Sequence, residues 1–260
     1  MSPSFPLSSV AVDVADVART AFFFDFDGTL CSLAPSPDAV VVSPRVPVLL
    51  KALIARNEAA VAIVSGRPIN DIDHFLAPLS LPAAGSHGAE FRDSDGRVEQ
   101  VGFGDPRLEQ MRAMLQEVVS AHPGLLLEMK QAGLAVHYRA APQHAAVVEA
   151  ATLQAVESQG GAFVLQPGKM VFEIKPKGVD KGRAIRRFMQ TAPFAGRLPV
   201  FVGDDLTDEK GFAVVNEMGG VAIKIGEGET IAQYRMPAVD DLLDWLERIA
   251  GTAGTAGTAP

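Results

Sequence analysis

Asp25 and Asp27 stand two residues apart in the stretch FFFDFDGTLC, Phe22 to Cys31, where three phenylalanines run straight into two carboxylates. Such a pair admits three chemistries: calcium binding, a solvated turn, or a reaction centre. A calcium loop of the EF-hand kind needs glycine at its sixth position and an acid at its twelfth, but those positions hold Leu30 and Ser36. A solvated Asp-Gly turn is the commoner reading of the pentapeptide alone. It loses ground because VSGR (ending at Arg67), DKG (from Asp180) and GDDLTDE (from Gly203) follow in order.

Carboxylates, a hydroxyl and an ammonium at strand ends make a plausible centre for Mg²⁺ and phosphate. Oxygen-rich, sulfur-free ligation suits Mg²⁺. Asp25 and Asp204 are the best ligands, with Asp27 a third candidate. A carboxylate such as Asp25 can also attack phosphorus and form an acyl phosphate. Asp27, beside another carboxylate, is expected to have a raised pKa and to serve as general acid, then as base toward water. Gly28 and Thr29 form a tight turn that brings backbone N–H groups to phosphate. Ser65 donates to one phosphoryl oxygen and Lys181 neutralises another, with Lys177 the alternative lysine. Asp205 and Asp208 read as supporting acids, against the simpler reading of an acidic helix start. Arg67 is either a substrate contact or a salt-bridge residue. His87 and Glu90 in GSHGAE either face the site or are structural.

The surrounding pattern must bring these residues to one edge. AFFFDF reads as a buried strand, SPRVPVLLKALIARN as a helix with Ser43 as N-cap and Pro44 in its first position, AAVAIVSGR as a second buried strand, and INDIDHFLAPL as a short helix. After Lys181 come a helix, the buried strand LPVFVGDD, a helix, the strand GVAIKIG and a closing helix. Apolar strands alternating with helices predict an α/β fold with a parallel sheet covered on both faces. Functional groups then gather at the carboxyl ends of the strands. Between the two α/β segments, helix–strand–strand occurs twice, an α+β grouping read as an inserted domain. The boundaries are 1–20 for an N-terminal segment, 21–104 and 176–250 for the core, 105–175 for the insertion, and 251–260 for a flexible tail of small-residue repeats. The crossings near Gly104–Asp105 and Lys175–Gly178 carry the glycines and proline expected of hinges.

The net charge of −8 argues against broad nucleic-acid or acidic-membrane binding. The one cysteine, Cys31, excludes an internal disulfide framework and fits a reducing compartment. The N-terminus lacks the basic start of a signal peptide, and no run approaches the roughly 18 apolar residues of a membrane span. A soluble, cytoplasmic, monomeric protein is the expectation.

DFDGT, VSGR, DKG and GDDLTDE, in this order, resemble the haloacid-dehalogenase (HAD) superfamily of phosphotransferases. The resemblance implies a HAD-like Rossmannoid core and, from the insertion point, a type C2 cap of α+β form. A narrower resemblance, carried by DFDGTLCSLAPSPDAV, GSHGAE, EMK, HYR, GKMVFEIKPKGVDKG and VGDDLTDE, is to the trehalose-6-phosphate phosphatase family. It implies Mg²⁺-dependent hydrolysis of trehalose 6-phosphate through an aspartyl phosphate, and a pathway link to a trehalose-6-phosphate synthase. It also implies that Glu128, Lys130, Arg139, Lys169 and Glu173 hold the sugar. Three alternatives stay open: a related phosphatase for sucrose or mannosylglycerate phosphate, a phosphoacceptor signalling domain, and a non-catalytic binding domain.

Overall fold

The computed structural model describes residues 5–6, 14–34, 39–168 and 170–251. Lys169, most of the segment 1–20 and all of the expected tail except Gly251 lie outside them.

Strands β1 (Phe5–Pro6) and β2 (Thr20–Phe24) precede helix α1 (Arg45–Arg56), β3 (Val61–Val64), α2 (Ile69–Leu76), β4 (Ala83–Gly85), β5 (Glu90–Arg92) and β6 (Val98–Gln100). Next come α3 (Pro106–Ala121), β7 (Leu126–Lys130), β8 (Gly133–His137), α4 (Ala145–Glu157), β9 (Phe163–Gly168) and β10 (Val171–Pro176). The chain ends with α5 (Lys181–Phe188), β11 (Leu198–Gly203), α6 (Glu209–Glu217), β12 (Val221–Ile225), β13 (Tyr234–Met236) and α7 (Val239–Ala250).

The large sheet runs β1-β13-β12-β11-β2-β3-β4-β5-β6. Its pairings from β1 to β4 are parallel, and β5 turns back antiparallel on β4. All five residues of β2 are buried, which explains the unbroken apolar run. Successive side chains of a strand point to opposite faces, and here each face has its own core. Phe22 and Phe24 join Leu50, Leu53, Trp245 and Leu246 on one side. Phe23 joins Phe188, Phe194, Phe201 and Phe212 on the other. Helix α1 starts at Arg45, one residue past the expected Pro44, which is its N-cap and already has helical dihedrals; the Ser43 hydroxyl accepts from the Arg45 N–H at 3.3 Å. Helix α5 ends at Phe188, and the chain then turns through 189–192 into Pro193.

The chain divides into two compact units, 1–99 with 180–260, and 100–179. The second is wider at both ends than the motif boundaries 105–175. Gly102 packs so closely on Pro176 that a Cβ there would lie 2.5 Å from the ring, and the Lys177 N–H donates to Ala162 O at 2.9 Å. Within it an antiparallel sheet, β7-β8-β10-β9, lays one apolar face (Leu134, Val136, Phe163, Phe172, Ile174) on Leu108, Met111, Leu115 and Val148 of α3 and α4.

Candidate active site

Strands β2, β3 and β11 are parallel neighbours, so Asp25, Ser65 and Asp204, each following its strand, emerge at one edge. The Asp25 N–H donates to Val202 O of β11 at 2.9 Å, which ties the first acid to the strand that carries the second. Lys181 opens α5 after the N-cap Asp180, whose side chain accepts from the Arg183 N–H. Its ammonium is 3% exposed and donates to Asp25 Oδ1 at 2.8 Å and Asp208 Oδ1 at 2.7 Å.

Asp25, Asp204 and Asp208 each offer an oxygen within 4.8 Å of the others. Burial, opposed by Lys181, pushes Asp25 up to about 7. Burial and the charges of Asp208 and Asp205 push Asp204 up to about 7. Burial and the charge of Asp25 push Asp208 up to about 8. For Lys181 burial works against the charge, but Asp25 and Asp208 outweigh it and its pKa rises. Burial alone would raise Asp205, yet Lys181 and hydrogen bonds from Thr207 hold it below its ordinary value.

Asp208 has both oxygens occupied by the protein. Oδ1 holds Lys181, and Oδ2 accepts from the N–H groups of Asp204 and Asp205 at 3.0 and 3.1 Å. It therefore shapes the loop that presents Asp204. Asp205 caps the short turn 206–208, accepting from the Thr207 N–H at 2.8 Å. Gly28, at φ +79°, lets the loop after Asp27 close on Asp204; a Cβ there would meet Asp204 Oδ2 at 2.1 Å. Thr29 is fully buried.

Asp27, a third metal candidate by sequence, has its carboxylate engaged elsewhere. Its carboxylate is not in the acidic cluster; it takes a two-point grip from Arg67, Nε to Oδ2 at 2.6 Å and Nη2 to Oδ1 at 2.8 Å. Asp208 completes the cluster, and burial raises the carboxyl of Asp25. The salt-bridge reading of Arg67 is the one the geometry displays.

The GSHGAE segment hangs on the VSGR loop. His87 N–H donates to Ser65 O at 2.9 Å and Ser86 N–H to Arg67 O at 2.8 Å. Ser86 and His87 both adopt positive φ, 50° and 55°, and the imidazole covers Gly66, where a Cβ would lie 2.6 Å from Cε1. Glu90, 4% exposed, accepts from the Ser86 hydroxyl at 2.7 Å. It holds that strained turn from below. Lys177 lies in the turn after β10.

In the second unit the register puts Glu128, Ala135, Glu173 and Gln166 in one row across the four strands. They share the sheet face opposite the apolar core. Lys130 pairs with Glu173 on this face, and Glu128 Oε2 meets His137 Nε2 at 2.7 Å. Arg139 is exposed in the turn after β8. The motifs do not single out His137 or Lys224. Strand alternation reaches His137, two residues along β8 from Ala135. Lys224 is 4% exposed and its ammonium donates to Asp204 O. Its signal is a lone charge inside an otherwise apolar, fully buried strand.

Three close carboxylates against the Lys181 ammonium leave an excess of negative charge in a buried, oxygen-only site, which fits a hard divalent cation. Asp25 and Asp204 would hold it; Asp208 is spent on the protein.

A family model described as trehalose-phosphatase matches residues 23–239. The chain is 45% identical over 232 residues to trehalose-6-phosphate phosphatase of Escherichia coli, covering 89% of this chain and 87% of that protein. It is 41% identical over 211 residues to a probable trehalose-phosphate phosphatase of Sinorhizobium fredii, covering 81% and 79%. Among solved structures, a trehalose-6-phosphate phosphatase related protein aligns at TM-score 0.71 with 27% identity, covering 89% of this chain and 97% of that one. The C-terminal domain of Candida albicans trehalose-6-phosphate phosphatase aligns at TM-score 0.78 over 96% and 98%; at 21% identity it bears on the fold alone. With a parallel core sheet, a separate antiparallel sheet and this match over most of its length, the chain belongs to the trehalose-phosphatase family of phosphoric monoester hydrolases.

Proposed function

We propose that the protein hydrolyses trehalose 6-phosphate to trehalose and phosphate, with Asp25 as nucleophile and Mg²⁺ as cofactor. The observation that carries this is the buried group of Asp25, Lys181, Asp204 and Asp208 at the carboxyl edge of the sheet. Asp25 and Asp204 would hold the cation, which when bound would offset the repulsion between carboxylate and phosphoryl oxygens. Lys181 keeps Asp25 oriented by gripping Oδ1, leaving Oδ2 to attack phosphorus. The P–O bond to the sugar breaks and Asp27 delivers a proton to the leaving oxygen. Asp27 then takes a proton from the water that attacks the aspartyl phosphate, which regenerates Asp25 and releases phosphate. Ser65 and Lys181 bind phosphoryl oxygens; the expected backbone donors of Gly28 and Thr29 are taken within the turn by Cys31 O at 2.8 Å and Phe26 O at 3.3 Å, so these residues shape the loop instead.

Unit 100–179 serves as the cap and supplies sugar recognition, with Glu128, Lys130 and Glu173 from the polar face of its sheet, Arg139 from the turn after β8, and Lys169 as a further contact. Carboxylates, an amide and the Lys130 ammonium on one sheet face suit a polyol, which offers many hydroxyls and little apolar area. Among the described residues no helix is long and apolar enough to cross a membrane. A cytoplasmic monomer supplied by a trehalose-6-phosphate synthase completes the reading.

Phosphate release across a panel of sugar phosphates tests the substrate; a clear preference for sucrose or mannosylglycerate phosphate would overturn it. Asp25→Asn tests the nucleophile. It abolishes turnover while substrate still binds, and retained turnover refutes the assignment.

A further inference from the structure

Arg67 sits at a junction of three loops. Its guanidinium presents two donors in parallel to both oxygens of Asp27, a geometry only arginine offers. The same group lies over the rings of Phe26, 5.7 Å from the centroid, and Phe75, 4.9 Å. Its side chain is 10% exposed. Its backbone N–H donates to Ser65 Oγ at 3.2 Å, and its carbonyl receives the Ser86 N–H. The aromatic rings fix the guanidinium, the guanidinium fixes the Asp27 carboxylate, and the backbone fixes the Ser65 hydroxyl. Asp27 precedes the glycine-containing turn; its bridge to Cys31 holds the backbone, and the two-point grip of Arg67 holds the carboxylate.

We propose that Arg67 is a positioning residue, which acts on the reaction by fixing Asp27 and not by binding the transferred phosphoryl group. The inference rests on the reading of Asp27 as the proton donor to the leaving alcohol. In that step the P–O bond electrons pass to the sugar oxygen, Asp27 gives its proton to it, and the carboxylate left behind is the form that both guanidinium donors hold. The attacking water returns the proton to Asp27, so each turnover closes.

The test compares two substrates through kcat/KM, which reports steps up to release of the alcohol. A sugar alcohol is a poor leaving group and needs the proton; p-nitrophenolate is a good one and barely needs it. Proton transfer of this kind contributes about 100-fold or more. Asp27→Asn and Arg67→Gln are measured in parallel on trehalose 6-phosphate and p-nitrophenyl phosphate. We expect both to lose about 100-fold on the sugar phosphate and at least tenfold less than that on the aryl phosphate. Because one enzyme sample is used for both substrates, any unfolded fraction cancels in the ratio. If Arg67→Gln loses equally on both while Asp27→Asn stays selective, Arg67 serves the phosphoryl group and the inference falls. If Asp27→Asn itself is unselective, the proton-donor reading falls first and takes the inference with it. Arg67→Lys restores charge without the two-point grip and recovers only part of the ratio; full recovery would show that charge alone suffices and overturn the positioning role.

Discussion

Lys181 is the most demanding residue of the site to replace. Lys181→Met keeps the length of the side chain and removes the ammonium that both Asp25 and Asp208 share. Removing one partner of a buried ion pair costs about 3–5 kcal/mol, since the remaining charge is left uncompensated. A chain of this size shifts its melting temperature by about 2–4 °C per kcal/mol. The expected loss is therefore roughly 6–20 °C. Protonation offers an escape. Burial already pushes Asp25 and Asp208 up to about 7 and about 8 from the ordinary 3.8, and losing Lys181 raises them further. A carboxyl whose pKa is raised on folding penalises the folded state above that pKa, and the penalty fades as pH falls toward the unfolded value. The destabilisation is thus larger at about pH 8.5 than at about pH 6. Thermal unfolding of the wild-type and variant proteins in chelator, followed by circular dichroism at both pH values, measures it. A loss under about 1 kcal/mol, or one greater at the lower pH, refutes the electrostatic account.

Other outcomes follow from the same geometry. Gly28→Ala forces a Cβ to within 2.1 Å of Asp204 Oδ2 in a positive-φ backbone; kcat/KM falls about 100-fold, as expected for a displaced ligand, and an unchanged value would show that Asp204 is not needed where it sits. Added Mg²⁺ raises the melting temperature at alkaline pH, and the gain shrinks as pH falls through about 7, where Asp25 and Asp204 take up protons. Asp204→Asn abolishes the gain. Glu128→Ala and Lys130→Ala weaken trehalose 6-phosphate hydrolysis far more than that of a small aryl phosphate, and equal losses would remove this sheet from specificity. Cys31, 2% exposed and pushed up to about 12 by burial, resists alkylation by iodoacetamide until the protein unfolds, which mass spectrometry with and without denaturant reads directly.

Much of this protein was legible before folding. The runs AFFFDF and VAIV are continuous because buried parallel strands face apolar layers on both sides, so the sheet and the edge that carries Asp25, Ser65 and Asp204 could be read from residue order. The four polar motifs fall at the strand and helix ends that meet at this edge, and the switch to helix–strand–strand lies within unit 100–179. The partners of individual charges were not legible. Asp25 and Asp27 are equivalent in a string of letters, but the first is sealed between β3 and β11 and the second reaches the Arg67 guanidinium, forty residues along the chain. The same holds for Asp208, whose oxygens are consumed by Lys181 and two backbone amides, and for Lys224, whose ammonium lies against the Asp204 carbonyl. Patterns of apolar residues encode burial, which is a property of one element and its faces. Which carboxylate binds, which is gripped and which merely shapes a loop depends on distances of a few ångströms between segments far apart in sequence, and only the packed structure sets those distances.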